Sequence, residues 1–366
     1  MAHDHGGRMA RAAERTASAG LGGLVVSPGP DLVYLTGYEA PPLERLTALL
    51  IRPGTDPVLL VPELEHPRAE ASPAGGRIHV ESWPDAGDPY PVVRELLGGP
   101  DAPVGVSDRL WASHLLGLQR ELSHASFVPA SAVLAPLRMR KDDGELGLLA
   151  GAAEAADEAL RRLTSEVLEG RREEDVAAAL AMHLTGAGHD TAAFTIVGSG
   201  PNGASPHHHA GEREIRDGDC VVLDFGGSLG GYFSDLTRTV AVGAPSDHIR
   251  EVHGIVHRAQ AAAFQAVAPG VAAQEVDRAA RSVIEQAGYG PDFIHRTGHG
   301  IGLEEHEPPY IVEGNATPLQ VGNTFSIEPG IYLAGRFGVR IEDIVVVTET
   351  GARSLNQAPR ELVSVA

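Results

Sequence analysis

Residues 218–228, GDCVVLDFGGS, and residues 322–330, GNTFSIEPG, are two copies of one pattern. Each copy opens on a glycine step, continues as an apolar run typical of a buried strand, and reaches a carboxylate. Glycines follow in both copies and are expected to turn the chain into a strand that carries a second carboxylate. They are Gly226, Gly227, Gly230 and Gly231 in the first copy and Gly330, Gly335 and Gly338 in the second. The four acids are Asp224 and Asp235 in the first copy and Glu328 and Glu342 in the second.

The sequence before each copy repeats as well. Residues 170–188 and residues 270–288 both open on glycine, contain a helix-like stretch and close on Ala-Gly, at an offset of 100 positions. Another helix-like stretch precedes each of them, at residues 150–168 and 250–268. We therefore expect two half-domains related by a pseudo-two-fold axis, which would bring the four carboxylates together.

The amino-terminal part of the chain has a different character. Short apolar runs, such as residues 24–26 and 58–61, alternate with turn residues and helix-like segments, as in an α/β domain. Residues 137–143 (LRMRKDD) end that pattern and lead into a long Ala-, Leu- and Glu-rich helix. The pattern predicts an α+β protein with an amino-terminal α/β domain at residues 1–140 and a repeat-containing domain at residues 141–366.

Composition excludes several classes of protein. The 366 residues carry 29 Lys and Arg against 49 Asp and Glu, a net charge of −20, which argues against nucleic acid or an anionic membrane as partner. Cys220 is the only cysteine and lies in an apolar run, so we expect a reduced, buried side chain. No apolar run reaches the roughly 18 to 20 residues of a membrane span, and no signal-peptide core is present. We expect a cytoplasmic protein.

Carboxylates gathered at neighbouring strands would repel one another unless cations neutralise them. His299 in residues 297–302 (TGHGIG) can join the four acids, because its flanking glycines let a metal approach closely. Four carboxylates and one imidazole form a hard, oxygen-rich ligand set with enough charge for two divalent ions. One such acid alone would more often be a solvated or ion-paired surface residue. Their matched positions in the repeat favour a metal centre.

These residues resemble the pita-bread metallopeptidases, which include prolidase (Xaa-Pro dipeptidase), aminopeptidase P and, more distantly, methionine aminopeptidase. The resemblance covers nearly the whole chain, including residues 31–37 (DLVYLTG) and 138–141 (RMRK). Successive spacings of 11, 64, 29 and 14 positions between the five possible ligands are similar to those of prolidases. The motifs are residues 222–227 (VLDFGG), 234–239 (SDLTRT), 298–303 (GHGIGL), 326–330 (SIEPG) and 339–343 (VRIED).

The resemblance implies a pita-bread catalytic domain with two divalent metal ions, expected to be Mn²⁺, with Co²⁺, Zn²⁺ or Fe²⁺ as alternatives. Asp224 would bind one ion, and Asp235 and Glu342 would bridge the pair. His299 and Glu328 would bind the other ion. The ions would activate a water, and Glu328 would pass its proton to the departing proline nitrogen. The expected partners are short proline-containing peptides and, in a homodimer, a second copy of the chain.

Further residues match family positions around the metal centre. His207 and His306 would contact the substrate and steady the tetrahedral intermediate. Arg340 would hold ligand carboxylates in place, and His295 would assist. The two histidines that directly follow His207 predict a polar loop rather than a metal site, because three consecutive residues do not converge easily on one ion.

Tyr310 departs from the family pattern. Many prolidases carry an arginine there, which would grip the free carboxylate of a dipeptide, and tyrosine cannot form that bidentate pair. Arg336, or a charged donor from the amino-terminal domain of this chain or of a partner subunit, could replace it. Cleavage of Xaa-Pro dipeptides is therefore the main hypothesis. The alternatives are an aminopeptidase P for longer Xaa-Pro peptides, a peptidase with little proline preference, a metal-free creatinase-like hydrolase, and a non-catalytic binding protein.

Overall fold

The computed structural model describes residues 4–366, and the chain divides into two compact units, one up to Arg138 and one from Met139 to Ala366. The division lies beside residue 140, where the sequence pattern changes. Within the described residues, no helix has both the length and the apolar character needed to cross a bilayer.

The amino-terminal unit is a sheet with helices. Its strands are β1 (Gly23–Val26), β2 (Ala48–Ile51), β3 (Val58–Pro62), β4 (His79–Trp83), β5 (Val104–Val106) and β6 (Phe127–Pro129). Its helices are α1 (His5–Ser18), α2 (Pro30–Thr36), α3 (His66–Glu70), α4 (Tyr90–Leu97), α5 (Ala112–Glu121) and α6 (Ser131–Arg138). In the described residues the strand order is β4-β3-β2-β1-β5-β6, with β1 antiparallel to β2 and parallel to β5. β1 is buried along its whole length, as expected for a strand inside an α/β sheet.

The second unit contains two helix pairs and two larger sheets in its described residues. Its helices are α7 (Asp143–Leu163), α8 (Glu173–Ala187), α9 (Asp247–Ala266) and α10 (Ala273–Gln286). The strands of its first half, together with the last strand of the chain, are β7 (Thr191–Ser199), β8 (Cys220–Leu229), β9 (Tyr232–Phe233), β10 (Leu236–Val242) and β18 (Val363–Val365). The strands of its second half are β11 (Gly298–Gly300), β12 (Glu307–Ile311), β13 (Thr324–Ile327), β14 (Gly330–Leu333), β15 (Phe337–Arg340), β16 (Asp343–Thr348) and β17 (Gly351–Ser354).

The two sheets of this unit have the orders β18-β10-β8-β7, with β9 paired to β8, and β12-β11-β13-β16-β17. β14 and β15 form a separate antiparallel hairpin. The halves meet at an isolated bridge between Thr237 and Glu342, where Glu342 N donates to Thr237 O at 3.0 Å. A ligand candidate of the second half is thus joined to the strand that follows Asp235 in the first.

The sequence repeat is visible in the backbone. Gly170 N, before α8, donates to Ile215 O at 2.9 Å, and Gly270 N, before α10, donates to Leu319 O at 2.8 Å. Isolated β-bridges follow both contacts at matching positions. The predicted α+β class, with an amino-terminal α/β domain and a pseudo-two-fold pita-bread domain, is confirmed.

Of the four glycines expected to turn the chain after Asp224, Gly230 and Gly231 do so, whereas Gly226 and Gly227 of β8 do not. Both residues remain in the strand and pair with β7. The turn lies at Gly230 and Gly231, whose φ angles of +56° and +82° favour glycine. A Cβ atom on Gly226 would lie 2.1 Å from the carbonyl oxygen of Ser234. Close backbone approach therefore explains this glycine.

Apolar cores lie under both sheets and orient the polar side chains. Leu223 and Phe225 of β8 pack into the core formed with α7 and α8, and Phe325 and Ile327 of β13 pack into the core formed with α9 and α10. Since successive side chains of a strand point to opposite faces, Asp224 points away from its core. The folding pattern thus directs this acid towards the other half.

Candidate active site

The five possible ligands converge on one cavity of the carboxy-terminal unit, of about 620 Å³. Asp224 lies within β8, and Asp235 lies between β9 and β10. Glu342 lies between β15 and β16, and Glu328 directly follows β13. His299 is the central residue of the short strand β11. The fold therefore brings together ligands that the sequence separates by up to 118 positions, from 224 to 342.

Ligand atoms in this cavity lie close enough to share metal ions. One group consists of Asp224, Asp235 and Glu342, and another of His299, Glu328 and Glu342, with one possible ligand atom per residue within 4.8 Å of the others. His299 Nε2 lies 3.3 Å from Glu328 Oε1 and 3.6 Å from Asp235 Oδ2. Membership of both groups suits Glu342 to a bridging position.

Unpaired oxygen atoms and mutual repulsion make these acids suitable ligands for divalent cations. Among residues 4–366, Asp224 Oδ1, Asp235 Oδ1 and Glu342 Oε1 are buried without a hydrogen-bond partner. Burial raises the pKa of Asp235 and of Glu342, and neighbouring acids raise both further. Burial also raises the pKa of Glu328 to about 7. Cations would satisfy the unpaired oxygens and relieve the repulsion.

His299 is oriented to bind metal through Nε2. Its Nδ1 lies 3.1 Å from the carbonyl oxygen of Gly300, so Nδ1 carries the proton and Nε2 keeps its lone pair. Burial, with a smaller effect of His306, lowers the pKa of His299 to about 3. The backbone N–H of His299 donates to Ser326 Oγ at 3.0 Å, and that hydroxyl donates to Glu328 Oε1 at 3.2 Å. The two ligands are therefore held by one serine.

Arg340 connects ligands from both halves. Its buried guanidinium forms an ion pair with Asp224. Its Nε donates to Thr237 Oγ1 at 3.1 Å, and Thr237 Oγ1 donates to Glu342 Oε2 at 2.6 Å. Its Nη1 donates to the hydroxyl of Tyr332 at 2.8 Å. These contacts orient one oxygen of each acid and leave the other for a metal.

His207 and His306 both line the cavity. The rings of His306 and His299 are 3.8 Å apart between centroids. His306, His299 and Asp235 also form a third group whose possible ligand atoms lie within 4.8 Å of one another. The structure thus brings His306 next to the ligands, while His207 enters from the loop after β7.

His295 lies at the end of a hydrogen-bond chain that the sequence did not reveal. Its Nδ1 lies 2.7 Å from the carbonyl oxygen of Arg296, and its Nε2 lies 2.8 Å from the Tyr332 hydroxyl. Burial, with the nearby positive charge of Arg340, lowers the pKa of His295 to about 4. The neutral imidazole of His295 accepts a hydrogen bond from the Tyr332 hydroxyl, and the oxygen of that hydroxyl accepts a hydrogen bond from Arg340. Nothing in the sequence indicated a role for Tyr332, because a tyrosine in an apolar strand is typical of a core residue.

Arg296 is a cavity residue that the sequence analysis missed. Its guanidinium carbon lies 4.5 Å from the ring centroid of Tyr310, and its Nη2 lies 3.4 Å from His306 Nδ1. Among the described residues it forms no ion pair with an acid. Arg336, suggested by the sequence, contacts His248 instead and is not among the described residues that line the cavity. In the sequence, the only indication of a role for Arg296 was its position three residues before His299.

His208 is more than a loop side chain. Its Nε2 lies 2.7 Å from Oε2 of Glu173, whose carboxylate is fully buried. His208 and Glu173 are separated by 35 positions. No local motif joins them, so sequence analysis alone could not have found the pair.

Comparison with known proteins defines the class. The profile of metallopeptidase family M24 matches residues 147–349, and that of the creatinase/prolidase N-terminal domain matches residues 8–140. The first match covers more than half of the chain. This chain therefore belongs to metallopeptidase family M24.

Its relatives are similar along nearly the full length. The Mycobacterium tuberculosis protein named "Probable dipeptidase PepE" is 48% identical over 360 residues, 98% of this chain and 96% of that protein. The crystal structure of dipeptidase PepE from Mycobacterium ulcerans, also 48% identical, has a TM-score of 0.95 and covers 99% of this chain and 98% of its own. The Xaa-Pro dipeptidase of Pyrococcus furiosus is 37% identical over 315 residues, 86% of this chain and 88% of that protein. The predicted family and the metallopeptidase class with divalent metal are confirmed.

Proposed function

We propose that this metallopeptidase hydrolyses the Xaa-Pro bond of dipeptides, with two divalent ions held by the five cavity ligands. The observation that carries the proposal is one cavity that combines the acidic ligand groups with Arg296, a cation that forms no ion pair with any acid among the described residues. The names of the Mycobacterium and Pyrococcus relatives, dipeptidase and Xaa-Pro dipeptidase, support the substrate class.

The bound ions would supply an activated water and a polarised scissile carbonyl. Glu328 takes the proton of the water and later delivers it to the proline nitrogen, since a tertiary amide nitrogen needs that proton to leave. Burial raises the pKa of Glu328 to about 7 in the metal-free chain, and bound cations would lower it, so that the carboxylate is ionised and ready to accept the proton of the water. His207 and His306 contact the substrate and stabilise the charge that develops on its carbonyl oxygen.

Arg296 supports a preference for dipeptides. Tyr310 stands where many prolidases have arginine, yet its ring packs against the guanidinium of Arg296. This cation–π contact restricts the planar donor within the cavity, and arginine pairs with carboxylates through two parallel hydrogen bonds. We propose that Arg296 binds the free carboxylate of the substrate proline.

The proposal also covers the identity of the metal, the oligomeric state and the location of the protein. Four carboxylates and one imidazole favour Mn²⁺, with Co²⁺, Zn²⁺ or Fe²⁺ as alternatives. A homodimer and a cytoplasmic location stay predictions. The free, buried Cys220 is consistent with a reducing compartment.

Tyr310 favours one second candidate, an aminopeptidase P that acts on longer Xaa-Pro peptides, because the usual arginine is replaced. The presence of all five ligand residues in one cavity opposes a metal-free creatinase-like hydrolase and a non-catalytic binding protein.

The test uses purified protein loaded with Mn²⁺ and a panel of Xaa-Pro and Xaa-non-Pro peptides of two to five residues. We expect cleavage of Xaa-Pro dipeptides above all others. Equal rates on Ala-Ala and Ala-Pro would contradict the proline preference, and faster cleavage of tripeptides would favour aminopeptidase P.

A further inference from the structure

Glu173, the first residue of α8, is a fully buried carboxylate outside the metal centre. Its Oε1 accepts from Ser199 N at 2.8 Å, from Ser199 Oγ at 2.6 Å and from Asn202 Nδ2 at 3.1 Å. Its Oε2 accepts from Asn202 Nδ2 at 3.1 Å and from His208 Nε2 at 2.7 Å. One carboxylate therefore joins a helix start, a strand end and the loop that carries His207.

His207 lies between two anchors of this loop. Before it, the carbonyl oxygen of Pro206 accepts from both Nη atoms of Arg340 at 3.4 Å. After it, His208 is held by Glu173. Because the loop is held at the backbone of Pro206 and at the side chain of His208, the imidazole of His207 reaches the cavity from a restricted position.

The second half of the unit uses a similar support. Asp277 of α10 is fully buried and accepts from Thr297 N at 3.0 Å and from Thr297 Oγ1 at 2.7 Å. Thr297 lies two positions before His299. In both halves a buried acid of the second helix thus binds the N–H and the hydroxyl of one residue near the site. Among residues 4–366, the acid of the first half also holds a histidine, whereas Asp277 pairs with Arg281.

We propose that His208 is a positioning residue, which sets the place of His207 through Glu173. The inference rests on the proposed contact of His207 with substrate. Without His208, Oε2 of Glu173 keeps only the longer bond from Asn202, and the nearest remaining attachment of the segment after His207 to α8 is the bond from Glu174 N to Gly211 O. Displacements of about 1 Å in a substrate-contacting group can cost up to about 100-fold in rate.

The experiment measures kcat and KM for Ala-Pro with the Mn²⁺-loaded enzyme. His208→Ala should lower kcat/KM at least tenfold, with most of the loss in kcat. His208→Gln should recover most of it, because a glutamine amide can reach the position of Nε2, whereas the shorter His208→Asn should not. His183→Ala is the matched control and should stay within about twofold. His183 also pairs with a glutamate, Glu166 at 2.6 Å, and is equally exposed (21% against 20% for His208), but it is not among the described residues of the cavity.

The double variant His207→Ala/His208→Ala separates positioning from general stabilisation. If His208 acts through His207, the double variant should equal His207→Ala alone, because the two losses are not additive. Multiplied losses, or His208→Ala within about twofold of wild type, would overturn the inference. Should His208→Ala not fold, the contrast between the glutamine and asparagine variants decides.

Failure of the inference and failure of the proposed function give different results. If His207→Ala is fully active while the wild-type enzyme cleaves Ala-Pro, the inference is wrong and the Xaa-Pro dipeptidase proposal stands. If the wild type does not cleave Ala-Pro, the proposed function itself is wrong, and the inference falls with it.

Discussion

The proposed grip of Arg296 on the substrate carboxylate can be tested by removing either partner. Capping Ala-Pro as its carboxamide deletes the negative charge, and Arg296→Gln deletes the positive one. A hydrogen bond to a charged group contributes about 1.5 to 3 kcal/mol. This converts to about a 10- to 150-fold difference in kcat/KM. We therefore expect the wild-type enzyme to prefer Ala-Pro over its carboxamide by at least tenfold, and Arg296→Gln to reduce that preference to about twofold.

The assay is kcat/KM for Ala-Pro, its carboxamide and Ala-Pro-Ala, with each variant loaded with Mn²⁺. Arg336→Gln is the control, because this arginine contacts His248 away from the described cavity lining and should keep the wild-type ratio. A wild-type loss of less than about tenfold on capping, roughly 1.4 kcal/mol, would mean that no strong carboxylate grip exists, and the aminopeptidase P hypothesis would replace ours. An unchanged ratio in Arg296→Gln would assign the grip to another donor.

The remaining predictions concern the metals, the proton transfer and pH. Chelation should abolish hydrolysis and Mn²⁺ or Co²⁺ should restore it, so full activity in exhaustively chelated protein would refute the metal mechanism. Glu328→Gln should lower kcat at least about 100-fold, while His183→Ala should leave it nearly unchanged, and equal losses would contradict the assigned roles. The pKa of Glu328 is raised from 4.5 to about 7 in the folded chain, so the metal-free protein should lose stability as pH rises through that interval. Thermal melts should then show a larger stabilisation by Mn²⁺ at pH 8 than at pH 5, and an equal shift would count against the raised pKa.

The four acids were accessible from the sequence because each belongs to a short motif whose position repeats, whereas His299 was found through the glycines that flank it. Asp224 and Glu328 follow apolar runs that must be strands, and burial of the alternate residues forces the strands to present polar side chains to the same interior. The convergence of the four acids follows from the hydrophobic pattern of the strands and from the internal repeat. It could therefore be predicted without knowing any individual contact. The same reasoning failed at Gly226, since a strand glycine needed for close packing has the same local signal as one needed for a turn.

What the sequence by itself determined was the class of the fold, because hydrophobic periodicity is a property of neighbouring residues. Through their resemblance to known metallopeptidases, its motifs also indicated the family and a candidate ligand set. The tertiary structure alone decided which side chains support the site. Arg340 reaches Asp224 across 116 positions, His208 reaches Glu173 across 35, and Arg296, which precedes β11, lies against Tyr310 of β12. Such pairs follow from the meeting of distant segments in a crowded interior, where a buried charge must find a partner that local sequence does not specify.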